Sequence, residues 1–241
     1  MSDHSAQLDV VVTGGLDGFD GDGSGDGPLV ILMHGFGAPG DDLVAIGEAL
    51  SGSVPPGTRF AFPEAPIDLG PMFMGGRAWW HIDLEERIRR QALGERNVRE
   101  IPEGLHAISA TVAALVQSLR ERLAPPSGKV VLGGFSQGAM LALDVALRSD
   151  VALAGLVLLS GTHIASEEWA SFLESGGRKG LPVFQSHGYD DPLLPFSTSS
   201  DLKDVLVSSG MPVDWVPFRG GHAIPPPVLA GLGAFLTRVL S

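Results

Sequence analysis

Short, unbroken apolar runs recur along this 241-residue chain and restrict its fold more than any other feature. They are Leu29 to Met33, Phe60 to Phe62, Val130 to Leu132, Leu156 to Leu159 and Val183 to Gln185. Each has strand length, and none alternates strictly between apolar and polar residues. Such runs suit strands covered on both faces, as in a parallel sheet. Leu8 to Thr13 reads as a short edge strand and Val213 to Phe218 as a strand nearer the other edge. Helical patterns fill the intervals: Asp41 to Leu50, Pro102 to Leu123, Gly138 to Arg148, Asp201 to Ser209 and Val228 to Leu240. The longest of these places Leu105, Ile108, Val112, Leu115, Val116 and Leu119 on one face, with Pro102 suited to the first turn. Alternation of strand and helix implies one α/β domain, a mostly parallel central sheet with helices on both faces. No interdomain linker or internal repeat interrupts it.

Composition narrows the possibilities further. With 33 Gly and 18 Pro the chain has the content of a low-complexity segment, but these residues follow no period and are interleaved with apolar runs, so they mark tight turns. Gly14 to Gly27 is almost entirely Gly and Asp and is expected to be mobile, since it offers little apolar surface to bury. The chain therefore divides into residues 1–28, a flexible N-terminal strand and Gly/Asp loop, and residues 29–241, the main domain. The absence of Cys excludes disulfides, a thiol nucleophile and every Cys-bearing metal site. A net charge of -12 argues against a nucleic-acid partner. No apolar stretch approaches the roughly 20 residues that span a bilayer, so stable membrane insertion is not expected. The N-terminal MSDHSAQLDV has neither a basic region nor an apolar run, which points to the cytoplasm.

Residues 63–101 break the alternation. They contain Met72, Phe73, Met74, Trp79 and Trp80, then the charged EERIRR run, and read as a long excursion with a short helix near Leu84 to Ala92. Long excursions from a rigid sheet often carry binding surface, so Met72, Phe73, Trp79 and Trp80 are candidate walls of an apolar substrate channel. A satellite core beneath a surface loop is the competing reading.

The segment VVLGGFSQGAM, Val130 to Met140, carries the chemistry. An apolar strand runs directly into Gly134-Phe135-Ser136-Gln137-Gly138, and a helical pattern follows at once. This is G-x-S-x-G in the strand–turn–helix setting of an α/β-hydrolase elbow, which exposes the Ser136 hydroxyl above the sheet. The helix start aims its amides, that of Gln137 included, at negative charge forming on a reacting carbonyl. A second amide is expected from the HGFG segment after Leu29 to Met33, with Phe36 as donor and Gly35 and Gly37 permitting close approach. An acid and then a His are required further along, on loops after strands. HGYDDPLLP supplies Asp190 and Asp191, and FRGGHAI supplies His222.

HGFG, GFSQG, HGYDDPLLP and GGH together resemble the serine carboxylesterase family that includes acyl-protein thioesterases, lysophospholipases and bacterial carboxylesterases. The resemblance runs from Leu29 to the C-terminus. It implies a single-domain α/β-hydrolase in which Ser136 is the nucleophile and His222 the base. The acid immediately before Pro, Asp191, completes the triad, and the amides of Phe36 and Gln137 form the oxyanion hole. Trp79-Trp80-His81-Ile82-Asp83 resembles, imperfectly, the family's Trp-aromatic-Asp element, and Ala139 stands where many relatives have Gly. The resemblance further implies hydrolysis of carboxylic ester or thioester bonds through an acyl-serine, with no cofactor and no metal.

The expected substrate is a small ester or acyl-chain compound, and the chain is expected to be a monomer or homodimer. Lysophospholipase, acyl-protein thioesterase and amidase or lactone hydrolase activities are alternatives, as is a noncatalytic binding module. His34 and His187, each before a Gly at a strand end, read as loop-shaping residues, and His81 and His163 as residues bordering the cleft. None of the histidines shows zinc-type spacing, and no Gly-rich turn fits a dinucleotide or phosphate-binding loop.

Overall fold

The computed structural model describes residues 8–83, 85, 86, 89, 93, 99–126 and 128–241. Seven strands form one sheet: β1 (Val10–Gly14), β2 (Leu29–Met33), β3 (Arg59–Pro63), β6 (Val130–Phe135), β7 (Gly155–Leu159), β8 (Val183–Gly188) and β9 (Val213–Phe218). Their spatial order is β1-β3-β2-β6-β7-β8-β9. Only β1 runs antiparallel, pairing Val10 with Pro63 and Gly14 with Arg59. All other neighbours are parallel, as unbroken apolar runs require. The excursion adds a separate two-stranded ribbon of β4 (Ile67–Asp68) and β5 (Arg77–Ala78).

Successive residues of a strand point to opposite faces. In the five central strands β3, β2, β6, β7 and β8 both faces are dry, while the edge strands β1 and β9 are half-exposed. Leu29, Ile31, Met33 and Leu132 join one cluster with α2 (Leu105–Leu123), α3 (Gln137–Arg148), α4 (Ser166–Glu174) and α5 (Phe196–Ser208). Val30, Leu32, Phe60, Phe62 and Val157 face the other way, against α1 (Val44–Leu50) and α6 (Pro226–Leu240). This is an α/β-hydrolase sheet with helices on both sides.

Several boundaries differ from the sequence reading. Helix α2 begins at Leu105, because Gly104 in the left-handed region ends the preceding turn. Helix α5 starts five residues early, at Phe196, directly after Pro195. Helix α4 was not anticipated: Trp169 and Leu173 are its buried residues, too few for a clear periodic stripe. Its anchor is polar as well, since the Trp169 indole donates to the fully buried Asp144 at 2.8 Å and Arg148 also binds that carboxylate. Most of the helix expected at 84–92 lies outside the described residues.

The Gly/Asp loop is tied to the domain by Arg59, a guanidinium with no exposed surface. It donates to the carbonyls of Gly25 and Leu123, each at 2.6 Å, and to that of Gly27. Strands β6 and β7 meet closely at Gly133, where an added Cβ would sit 2.4 Å from Val157 Cβ and 2.6 Å from its carbonyl oxygen. Gly133→Ala is accordingly expected to cost at least about 1–3 kcal/mol, the usual range for overpacking. The measurement is a lower urea midpoint at unchanged slope.

Candidate active site

Ser136 sits between the end of β6 and the start of α3 with φ 55° and ψ -115°, a backbone conformation that a residue with a Cβ adopts only under constraint. The constraint is visible on both sides. The Ser136 amide extends the sheet ladder by donating to Leu159 O at 2.8 Å, while the Ser136 carbonyl accepts from Ala139 and Met140 in the first turn of the helix. Glycine is required at the flanks. A Cβ on Gly134 would lie 2.4 Å from Met33 O, and one on Gly138 would lie 2.1 Å from the same oxygen. Gln137 is the first residue of α3, where an amide has no intrahelical acceptor. The Gly37 amide is occupied by Arg77 O and the Gly35 carbonyl by Ala38 N, whereas the Phe36 amide between them has no acceptor among the described residues.

The loops after β8 and β9 bring Asp191 and His222 together. His222 Nδ1 lies 2.6 Å from Asp191 Oδ2. The other carboxylate oxygen accepts the amides of Leu193 and Leu194, both at 2.9 Å. Asp191 is buried, and Asp190 beside it is exposed. Burial opposes ionisation of Asp191, but the bonds from His222, Leu194 and Leu193 outweigh it and hold the carboxyl below its ordinary range. The two loops approach closely because Gly188 has no side chain: a Cβ there would stand 2.3 Å from the carbonyl oxygens of Gly220 and Gly221. The His222 ring packs on Phe135, the residue before Ser136, at 4.7 Å between centroids.

His34 and His187 serve the loops. Ala65 N–H donates to His34 Nε2 at 3.1 Å, so Nε2 is unprotonated and Nδ1–H donates to Gly35 O at 2.8 Å. The ring is a neutral clamp between the end of β3 and the HGFG turn, and burial lowers its pKa. His187 is also held neutral by burial; its Nε2 donates to Leu194 O at 2.9 Å and lies 3.3 Å from Asp191. His163 is buried and stacked on Trp169, away from the role of a cleft border, while His81 is exposed.

The excursion residues separate into two groups. Met72 is 91 % exposed, and Phe73 meets Phe36 edge to face at 6.0 Å, so this turn overhangs the HGFG segment. Trp79 and Trp80 are only 2 % and 4 % exposed. Their place as walls of an open channel is corrected by this burial, which leaves them almost no surface to offer a ligand. Trp79 instead donates its indole N–H to His34 O at 2.9 Å. The signal for this was the Trp pair itself, since a Trp indole N–H in a dry setting needs an acceptor.

The profile of the phospholipase/carboxylesterase family matches residues 23–240. The chain belongs to that family. Acyl-protein thioesterase 1 of Kluyveromyces lactis is 31 % identical over 181 residues, covering 73 % of this chain and 74 % of that protein. Acyl-protein thioesterase 1 of Gibberella zeae is 28 % identical over 221 residues, covering 88 % and 90 %. Among solved structures, esterase PE8 superposes with a TM-score of 0.79 at 27 % identity, covering 98 % of this chain and all of that one. As a member of the phospholipase/carboxylesterase family, the chain is a serine hydrolase acting on carboxylic esters. No helix among the described residues is long and apolar enough to cross a membrane.

The neighbouring carboxylates give a direct comparison. Asp191→Asn is expected to lower kcat about 10³- to 10⁴-fold, as loss of the tautomer-fixing acid does in serine hydrolases, and Asp190→Asn less than about threefold. Steady-state kinetics on a short p-nitrophenyl ester measure both, and the reverse ranking would move the acid by one position. A second expectation concerns pH. His34, His163 and His187 have native pKa values below the ordinary imidazole value, so the unfolded chain binds their protons first. Stability should then fall as pH drops through about 6.5 and continue falling until the native rings titrate. Thermal melting between about pH 7 and pH 5 tests this, and His34→Gln, which keeps a donor and an acceptor, should flatten the slope.

Proposed function

We propose that Ser136 is the acyl-accepting nucleophile of this esterase, with His222 as its base and Asp191 orienting the imidazole. The supporting observation is the 2.6 Å contact between His222 Nδ1 and Asp191 Oδ2 on loops beside the constrained Ser136 elbow. His222 Nε2 takes the Ser136 proton as the hydroxyl oxygen attacks the ester carbonyl carbon. The negative charge that forms on the carbonyl oxygen is received by the amides of Phe36 and Gln137. One such donor is worth about 3 kcal/mol of transition-state stabilisation in serine hydrolases. The imidazolium then returns its proton to the leaving alcohol, and an acyl-serine remains. A water activated by the same imidazole attacks the acyl carbon and releases the acid.

The substrate class we infer is a small or acyl-chain ester, with Met72 and Phe73 supplying apolar contact at the mouth. The exposure of Met72 and the placement of Phe73 against Phe36 support it. Thioesters are the second reading, favoured by the names of the fungal relatives. Fluorophosphonate labelling should occur at Ser136 and vanish in Ser136→Ala, which should also lose at least about 10⁴-fold in kcat while melting normally. A panel of esters, thioesters and amides from acetyl to palmitoyl then ranks the scissile bond and acyl length. Unimpaired turnover in Ser136→Ala would sink the assignment.

A further inference from the structure

The two segments assigned to the oxyanion hole are far apart in sequence, and a third segment fastens both. The Gln137 side chain has no exposed surface. Its Oε1 accepts the Trp79 amide at 2.9 Å and its Nε2 donates to Trp80 O, also at 2.9 Å. Opposite ends of one primary amide are thus paired with the backbone of consecutive residues. The Trp79 indole then donates to His34 O at 2.9 Å, two residues before Phe36. Its ring also lies 5.4 Å from the His34 ring. In addition, the Gly37 amide donates to Arg77 O and the Arg77 amide to Ala38 O, so β5 lies along the HGFG turn. The end of the excursion therefore bridges the start of α3 and the loop after β2, the two carriers of the donor amides.

Burial alone demands only that the Gln137 amide find partners. Here both partners come from the backbone of one segment, Trp79 and Trp80, which also reaches the HGFG turn through the Trp79 indole. An oxyanion hole requires two amides aimed at one point within a few tenths of an ångström, and an error of about 1 Å can cost 100-fold in rate. Resting on the assignment of Ser136 and of the Phe36 and Gln137 amides above, we propose that the Gln137 side chain and Trp79 are positioning residues. Together they set the distance between the two oxyanion donors, and the Trp79–Trp80 end of the excursion controls the rate through them without touching substrate.

The test uses the full chain, a short p-nitrophenyl ester and an alkyl trifluoromethyl ketone, whose hemiketal with serine places an oxyanion in the hole. Gln137→Met keeps length and removes the polar pairings; Trp79→Phe keeps an aromatic ring and removes the indole donor. Both should lower kcat, by roughly 10- to 100-fold and somewhat less respectively, with KM within about threefold. The inhibition constant for the ketone should rise by the same factor as kcat/KM falls. A merely structural role would lower the melting temperature without that proportionality. Unchanged kcat and ketone affinity in folded variants, or a fall in kcat at unchanged ketone affinity, overturns the proposal. If Gln137→Met does not fold, Trp79→Phe decides alone by the same criteria. Failure of the wild-type protein to be labelled at Ser136 by fluorophosphonate would instead defeat the site assignment itself, which separates the two failures.

Discussion

At Gly134 and Gly138 the backbone of the elbow comes so near the carbonyl of Met33 that no side-chain carbon fits between them. The close approach follows from strands β2 and β6 pairing in register from Leu29 with Val130 to Met33 with Gly134. It drives the start of α3 down onto the end of β2 and leaves Ser136 no relaxed conformation. The strain, of order 1–3 kcal/mol for such a backbone, is carried by a sheet buried on both faces and by the first turn of a helix buried along most of its length. Serine, helix amides and the HGFG turn are thereby stacked at the same end of the sheet, where the β8 and β9 loops also emerge.

Much of this was readable in the residues because the relevant physics is local. Unbroken apolar runs of strand length bounded by turn residues suit doubly covered strands, and Gly at two before and two after a strand-end Ser marks a sharp turn. Adjacent carboxylates defeated spacing alone: Asp190 and Asp191 have the same chemistry, and only the family's Asp-Pro pattern separated them before the fold showed one buried against His222 and the other in solvent. The Trp pair misled because composition does not say which way a side chain turns. Large apolar residues on an excursion suit a channel wall or a dry joint equally well, and the choice depends on acceptors such as His34 O that lie 45 residues away. Helix α4 was missed for a similar reason, since Asp144 anchors its Trp169 through a tertiary contact.

The histidines show how one residue type divides its labour by environment. His222 keeps 12 % of its side chain accessible against Phe135, the residue before Ser136, while His34 and His187 are sealed under the loops on either side. A buried neutral imidazole offers one donor and one acceptor at fixed angles, suited to joining two backbone segments without adding charge near the reaction. Membership of the phospholipase/carboxylesterase family accounts for the elbow and the chemistry. The joints made by His34, Trp79 and Gln137 are what hold those parts in register in this chain.

Arg59 gives the Gly/Asp segment a status its composition conceals. A permanently charged group inside the domain is tolerable only while the carbonyls of Gly25, Gly27 and Leu123 surround it, in the manner of a crown ether around a cation. The loop is then the solvent shell of an interior ion. Trimming it as a dispensable leader would not shorten the protein harmlessly; it would strip ligands from a cation that cannot discharge by losing a proton. Shortening at that end is therefore coupled to residue 59, and the two positions are expected to change together.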